Sequence, residues 1–177
     1  MTNETRPEFI KWIPLISEEL IARIREHPKT LYQMHPRMFE ELIATIFDKF
    51  GFVVELTQQT RDGGYDILAI RNTRTSEKYL IECKRYNPDN KVDVKIVRQL
   101  GGVVDRDQAF KGIIVTSSSF TKSAREEMSR TSWNLEGKDF NHVMKWVGEY
   151  DKLKMLNSIA GGAYVEKNGL FVSKPLL

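Results

Sequence analysis

Cysteine is almost absent from this chain, and neither sign of charge prevails strongly. Cys83 is the only cysteine among 177 residues, and the formal net charge is +3. A single thiol excludes an intrachain disulfide, so we expect a reducing, cytoplasmic setting. A mildly basic balance permits a nucleic acid partner without requiring one.

Long apolar runs are also missing. No stretch approaches the length of about 20 residues that a membrane-spanning helix needs. The first residues, MTNETRPEF, lack the apolar segment that follows the basic start of a secretory signal. We find no internal repeat, no zinc-ligand spacing, no helix-turn-helix and no arginine-rich recognition helix. We therefore expect a globular chain with one sizeable core, no membrane partner and no visible DNA-reading module.

Helical periodicity is clearest over residues 36–50. Apolar side chains recur there at i, i+3, i+4 and i+7, Pro36 suits the first turn, and Gly51 closes the helix. A shorter helix is expected over residues 17–27, where Ser17 is a suitable N-cap. Further helices are expected over residues 93–106, 121–130 and 139–150.

The remaining periodic segments predict strands. Three of them follow one another at residues 52–57, 65–71 and 78–86, and the polar turn NTRTSE makes the last two a hairpin. Later strands at 113–116 and 134–136 alternate with helices, which favours parallel pairing. The fold class is therefore α/β, with a mixed β-sheet flanked by helices on both faces. Near the C-terminus, Asn168-Gly169 between AYVEK and LFVSK predicts a β-hairpin.

Two acids and a lysine are the most informative residues of this sheet. Glu82 and Lys84 project on the same side of their strand because side chains alternate with period two. The hairpin can place Asp66 opposite Glu82, close enough for both carboxylates to bind one hard cation. The alternative is a solvated strand face. The surrounding run of apolar residues argues against it, because buried charges are rarely left without a partner or a metal.

Other polar residues have two possible roles. Glu40 lies at the edge of the apolar stripe of helix 36–50, where it either extends to water or reaches over the sheet toward Asp66. Gln99 lies off the apolar stripe of its helix, so it either faces a cleft or is a surface residue. Gly101 in the same helix would allow close approach to the sheet. Basic residues that follow the acids could contact phosphates or form a solvated face: Lys84, Arg85, Lys91, Lys95 and Arg98.

The motifs together resemble a known family. FEELIATIFDKFGFVVELTQQTRDGGYDILAI, YLIECKRY, VRQLGG and GIIVTSSSFTKSA, in this order, resemble the Mrr-like restriction endonucleases of the PD-(D/E)xK nuclease superfamily over residues 28–147. The resemblance implies that Asp66 and Glu82 bind metal, that Lys84 is the motif lysine, and that Glu40 is the acid of the first core helix. It places Gln99 in a helix that can line the cleft. The proline of the superfamily motif is Tyr65 here.

The resemblance implies a restriction-endonuclease-like core and a Mg²⁺-dependent endodeoxyribonuclease, with Mn²⁺ as a substitute. We expect Asp66, Glu82 and the backbone carbonyl of Cys83 to hold the metal. Arg85, Lys95 and Arg98 are expected to contact DNA. The expected organisation is an N-terminal helical extension (1–35), a nuclease domain (36–150) and a C-terminal extension with the hairpin (151–177).

A DNA-binding module without cleavage and a Holliday-junction-resolvase-like nuclease are the alternative functions. One site cuts one strand, so duplex cleavage needs two copies or two visits, and a homodimer partner would supply the second copy. Because no DNA-reading module is visible, a separate targeting protein is the other candidate partner. The C-terminal hairpin either packs on its own domain or pairs with a second protomer, because an isolated hairpin is marginal in water. The alternative is an expendable terminal addition, because termini tolerate change.

Overall fold

The structure is a computed structural model that describes residues 9–11, 16–57, 63–72, 76–130, 132–160, 164–167 and 170–173. Its strands are β1 (Phe9–Lys11), β2 (Val53–Thr57), β3 (Ile67–Asn72), β4 (Ser76–Lys84), β5 (Lys111–Thr116), β6 (Leu135–Lys138), β7 (Tyr164–Lys167) and β8 (Leu170–Ser173). Its helices are α1 (Glu18–Glu26), α2 (Thr30–Gln33), α3 (Pro36–Lys49), α4 (Val94–Arg106), α5 (Lys122–Arg130) and α6 (Phe140–Ala160).

Six strands form the central sheet, in the order β1-β2-β3-β4-β5-β6. The first four pair antiparallel, whereas β5 joins β4 in parallel and β6 joins β5 in parallel. The predicted mixed sheet is confirmed. Strand β4 is central to the fold because it pairs with an antiparallel neighbour on one side and a parallel neighbour on the other.

One face of the sheet is covered by α1, α3 and α6. Helix α3 begins with Pro36 after the N-cap His35, and its apolar stripe includes Phe39, Leu42 and Phe47, all with no exposed surface. These side chains pack with Ile81 of β4 in the larger core cluster. Full burial of each such side chain contributes about 1.5–3 kcal/mol, so this stripe holds α3 firmly on the sheet.

The opposite face is covered by α4 and α5. Val97 and Leu100 of α4 pack with Leu80 of β4 and with Ile114 of β5 in a second core cluster. Since Leu80 and Ile81 point to opposite faces, β4 is buried on both sides, and the predicted placement of helices on both faces is confirmed.

The predicted close approach of Gly101 to the sheet is wrong. A Cβ atom at Gly101 would collide with the ring of Trp133, so the small residue makes room for an aromatic side chain. Helix α4 instead comes close to the sheet at Gly112 of β5. A Cβ atom there would lie 2.7 Å from Cγ2 of Val104.

Two short elements were not predicted, and one helix is longer than expected. Strand β1 has three residues and depends on pairing with β2, and α2 is a single turn, so neither gives a periodic pattern. Helix α6 continues to Ala160, ten residues beyond the expected end. Strands β7 and β8 pair antiparallel at the C-terminus, and the predicted turn Asn168-Gly169 lies outside the described residues. Across the described part of the chain, every helix is too short or too polar to cross a membrane.

Candidate active site

Asp66 is held between two strands at the point where β3 begins. Ile67 pairs with Ile81 in the antiparallel ladder, so the preceding Asp66 faces Glu82 one step further along. The Asp66 N–H donates to the Ile81 carbonyl at 2.9 Å, and the Asp66 carbonyl accepts the Thr57 N–H at 2.9 Å. Both backbone groups of Asp66 are therefore fixed, one toward β4 and one toward β2.

The Asp66 side chain is oriented by the backbone of β4. Its Oδ2 accepts the N–H of Cys83 at 2.7 Å. A hydrogen bond to a carboxylate is roughly twice as strong as one between neutral groups. The carboxylate thus lies at the edge of β4, beside the residue that separates Glu82 from Lys84.

Glu82 and Lys84 form an ion pair on one side of β4, as the period-two alternation predicts. Their side chains are 16% and 24% exposed, so water screens the pair only in part. Burial and the negative charge of Asp66 raise the pKa of Glu82 to about 7, although Lys84 lowers it. Burial lowers the pKa of Lys84, but the charges of Glu82 and Asp66 outweigh burial, and the net shift is upward.

In addition to burial, the charges of the cluster contribute to both shifts. The Lys84 ammonium is surrounded by more than one carboxylate, so its charged form is favoured. Each carboxylate is close to another acid, so the charged form of Glu82 is disfavoured. The cluster therefore carries more negative charge than its single lysine can offset.

Glu40 adds a third acid at the rim. It lies in α3 with a side chain that is 15% exposed, and burial followed by the charge of Asp66 raises its pKa. Of the two roles left open by the sequence, the one toward Asp66 is favoured, since the two carboxylates are close enough to interact. Arg37, one turn earlier, donates from Nη1 to Glu40 Oε2 at 2.9 Å and opposes that shift.

Sequence reasoning missed a pair of buried hydroxyls behind Lys84. Thr116 donates from Oγ1 to the Lys84 carbonyl at 2.8 Å. Ser117 donates from Oγ to the Tyr86 carbonyl at 2.7 Å and accepts the Tyr86 N–H at 2.8 Å. Both hydroxyl residues have no exposed surface. A signal was present, because hydroxyl residues end the strand that lies parallel to the one carrying the lysine.

The other predicted residues lie apart from this cluster. Gln99 is exposed on α4, away from the buried stripe, and within the described ranges no hydrogen bond or ion pair joins it to the acids. Lys95 is exposed, and Arg98 pairs with Glu127 at 2.8 Å. Arg85 is half-buried and donates to the Tyr32 carbonyl at 3.2 Å. The structure thus brings Asp66, Glu82 and Lys84 together, places Glu40 near enough for its charge to interact with that of Asp66, and does not add Gln99 to them.

The atoms of the cluster that could be ligands decide whether it suits a divalent cation. In the part of the chain that the structure describes, no three His, Cys, Asp or Glu side chains are grouped so that they could hold a metal ion by themselves. The metal ligands expected from the sequence include only two side chains, the carboxylates of Asp66 and Glu82, together with the backbone carbonyl of Cys83. These are oxygen ligands, which suit Mg²⁺ completed by water. The negative charge that Asp66 and Glu40 place near Glu82 is the second property that fits a cation.

Comparisons with known proteins identify the family and the fold of this chain. Residues 31–147 match the family Mrr_cat, described as restriction endonuclease. The chain is 28% identical over 141 residues to the uncharacterized protein y4cE of Sinorhizobium fredii, covering 78% of this chain and 36% of that protein.

Two solved structures share the fold. The DNA modification-dependent restriction endonuclease AspBHI has a TM-score of 0.55 at 19% identity, over 80% of this chain and 41% of that one. The restriction endonuclease MspJI, solved in complex with a 27-mer oligonucleotide, has a TM-score of 0.53 at 19% identity, over 83% of this chain and 34% of that one. The chain spans well under half the length of these relatives. Because the family match covers well over half of the chain, the chain belongs to the Mrr_cat family of restriction endonucleases.

Proposed function

We propose that this chain is a Mg²⁺-dependent endodeoxyribonuclease that acts in restriction and defence or in DNA processing. The observation that carries the proposal is the meeting of Asp66, Glu82 and Lys84 at the adjoining ends of β3 and β4. Membership of a restriction endonuclease family supports DNA as the substrate class. The nuclease unit would be residues 36–150.

The metal would be held by the carboxylates of Asp66 and Glu82 and by the backbone carbonyl of Cys83. A bound Mg²⁺ supplies Lewis-acid polarisation of the scissile phosphate and acidifies water. The Cys83 N–H fixes the orientation of the Asp66 carboxylate through its hydrogen bond to Oδ2. Mn²⁺, which accepts the same oxygen ligands, would substitute for Mg²⁺.

Lys84 would act on the reacting phosphate. Its ammonium stays charged across the physiological range because the neighbouring acids raise its pKa. A fixed positive charge in a half-buried site offsets negative charge that builds on the phosphoryl oxygens. Thr116 and Ser117 hold the backbone of Lys84 through its carbonyl, so the ammonium approaches the phosphate from a fixed strand.

Two further groups would assist. Glu40 would bind a second metal or a metal-bound water, since its carboxylate lies at the rim near Asp66. Arg85, Lys95 and Arg98 would contact the DNA backbone, where they neutralise phosphates without reading sequence. Arg98 would have to exchange its pairing with Glu127 for a phosphate.

The decisive experiment is a cleavage assay on supercoiled, linear, methylated and branched DNA with Mg²⁺ or Mn²⁺. We expect metal-dependent cleavage of at least one substrate by the wild type and none by Asp66→Ala. Asp151→Ala is the matched control, because it removes an exposed aspartate of α6 that pairs with Arg25. Its cleavage should equal that of the wild type.

Two outcomes would contradict the proposal. Cleavage by Asp66→Ala at the wild-type rate would show that the assigned acid is not part of the chemistry. DNA binding by the wild type without cleavage of any substrate would favour a non-cleaving binding module. Cleavage confined to branched DNA would keep the nuclease and assign it to junction processing.

A further inference from the structure

We propose that Arg37 is a positioning residue of the nuclease site, which holds Glu40 and the end of β2 in fixed relation to Asp66. This inference rests on the proposed function for its effect on cleavage, but its structural part can be tested without metal or DNA. Arg37 lies in the first turn of α3 and belongs to no motif that the sequence singles out.

The guanidinium joins a helix to a strand. Arg37 Nη1 donates to Glu40 Oε2 at 2.9 Å and to the Thr57 carbonyl at 2.9 Å. Its Nε lies 3.9 Å from Oε1 of Glu41. The Arg37 side chain is 20% exposed, so these contacts form where water competes only in part.

Thr57 carries the connection on to Asp66. Its N–H donates to the Asp66 carbonyl at 2.9 Å, and its Oγ1 lies 3.1 Å from the same carbonyl and 3.2 Å from that of Tyr65. Thr57 is 5% exposed and is the last residue of β2. One chain of contacts therefore runs from Glu40 through Arg37 and Thr57 to Asp66.

The location of Arg37 is unfavourable for the helix itself. The N-terminal turn of a helix carries partial positive charge, and cations there are destabilising. An arginine placed before a glutamate at i+4 is also the weaker orientation of such a pair. The hydrogen bonds to Glu40 and to the Thr57 carbonyl offset this cost and stabilise the arginine at this position.

Arg37 fixes the position of Glu40 relative to Asp66. Asp66 receives its orientation from β2 and β4, whereas Glu40 comes from α3, and these elements are separate in the chain. Arg37 bridges the α3 side to the β2 side. Without it, Glu40 would keep its place in the helix but lose the contact that fixes its carboxylate, and the Thr57 peptide would lose a charged donor.

The test compares Arg37→Met with Arg37→Lys and with a matched control, Arg25→Met. Arg25 makes the same kind of bridge elsewhere, because its Nη2 donates to the Val147 carbonyl and to Asp151 Oδ2, both at 3.3 Å. Arg37→Lys keeps the charge and one or two donors on a shorter side chain, so it should recover part of any loss and remain folded if the methionine variant does not.

The first readout is hydrogen exchange of the metal-free protein, resolved by NMR. Arg37→Met should raise exchange at the Thr57 and Asp66 amides by about tenfold, because a hydrogen bond to a charged group is lost beside them. Amides of α6 should keep their wild-type rates. Arg25→Met should show the reverse pattern, with α6 affected and Asp66 unaffected.

The second readout is cleavage. Arg37→Met should lower kcat by about 10–100-fold with KM for DNA unchanged, which is the usual cost of losing a group that orients a ligand. A raised KM and a reduced salt dependence of DNA binding, with kcat intact, would overturn the proposal and assign Arg37 to a phosphate contact. A uniform rise in exchange across the chain would also overturn it, since that is the signature of a general structural role.

Failure of the proposed function would be visible separately. If the wild type cleaves no DNA, the exchange experiment still decides the positioning role, because it needs neither substrate nor metal. Unchanged exchange at Thr57 and Asp66 in both Arg37 variants would then refute the connection.

Discussion

Two half-buried clusters of acids and lysines lie on the same sheet and differ in their charge balance. In the candidate site, one lysine, Lys84, faces Asp66 and Glu82. On β5 and β6, one acid, Glu136, pairs with Lys138 and with Lys111 at 3.2 Å. The first cluster has excess negative charge and the second excess positive charge.

The two glutamates respond in opposite directions. Burial and Asp66 raise the pKa of Glu82 to about 7. Burial also raises the pKa of Glu136, but its hydrogen bond and charge interaction with Lys138, and then Lys111, outweigh burial and lower it. Burial alone therefore does not distinguish a site from a structural ion cluster. The sign of the uncompensated charge distinguishes the two, because of these two clusters only the one with excess negative charge favours an additional cation.

The largest expected difference between the clusters is in cleavage. Glu82→Ala and Lys84→Ala should each lower kcat by about two orders of magnitude or more, because they remove charge at the reacting phosphate. Glu136→Ala should leave kcat of the folded fraction unchanged. Single-turnover cleavage at saturating Mg²⁺ measures this. Equal losses at Glu82 and Glu136 would show that the charge balance of a cluster does not determine its part in cleavage.

The second difference is in stability without metal. Glu136→Gln should lower the free energy of unfolding by about 1–3 kcal/mol, because it removes the carboxylate charge that pairs with Lys138, which is 3% exposed. Glu82→Gln should keep or raise stability, since it removes a carboxylate beside Asp66. Urea unfolding in EDTA tests both variants. A loss of stability in Glu82→Gln as large as that in Glu136→Gln would contradict the repulsion inferred for the site.

The third difference is in pH dependence. The folded-state pKa of Glu82 is raised from 4.5 to about 7, so the stability it contributes is present below about 4.5 and is lost as pH rises through 7. One pKa unit corresponds to about 1.4 kcal/mol, so the decline is on the order of 3 kcal/mol at most. The lowered pKa of Glu136 acts oppositely, with stability present above 4.5 and lost as pH falls.

The measurement is the unfolding free energy of the metal-free protein from pH 8 down to about pH 3, because the contribution of Glu136 is lost only below its ordinary pKa of 4.5. Glu82→Gln should flatten the decline above pH 5, and Glu136→Gln should reduce the loss toward acid pH. If the wild type and Glu82→Gln have the same slope from pH 5 to pH 8, the raised pKa of Glu82 is not a property of the protein in solution.

Much of the fold could be predicted from local pattern. The alternation in β4 indicated that Glu82 and Lys84 share a side, and the turn between β3 and β4 indicated which strand carries Asp66. Both features depend on residues near one another in the chain. The mixed sheet followed from the order of strands and helices.

Contacts between distant segments account for what was missed. In the sequence Arg37 is an ordinary helical arginine, because its hydrogen bond to the Thr57 carbonyl joins residues that are 20 positions apart. Gly101 is recognisable as a place for close approach, but its neighbour Trp133 comes from a segment whose path the sequence does not reveal. Strand β1 exists only through its pairing with β2. Each of these depends on tertiary partners that periodicity cannot identify.

Cys83 has a consequence of its own. Its N–H orients Asp66 on one edge of β4, while its thiol, 7% exposed, packs in the core beneath α3. Burial first, and then the nearby acids, raise the pKa of the thiol far above its usual range, so it resists alkylation while the sheet is closed. Its rate of alkylation by an added reagent would therefore report how often β4 opens beside the acids, and no cysteine has to be introduced for the measurement.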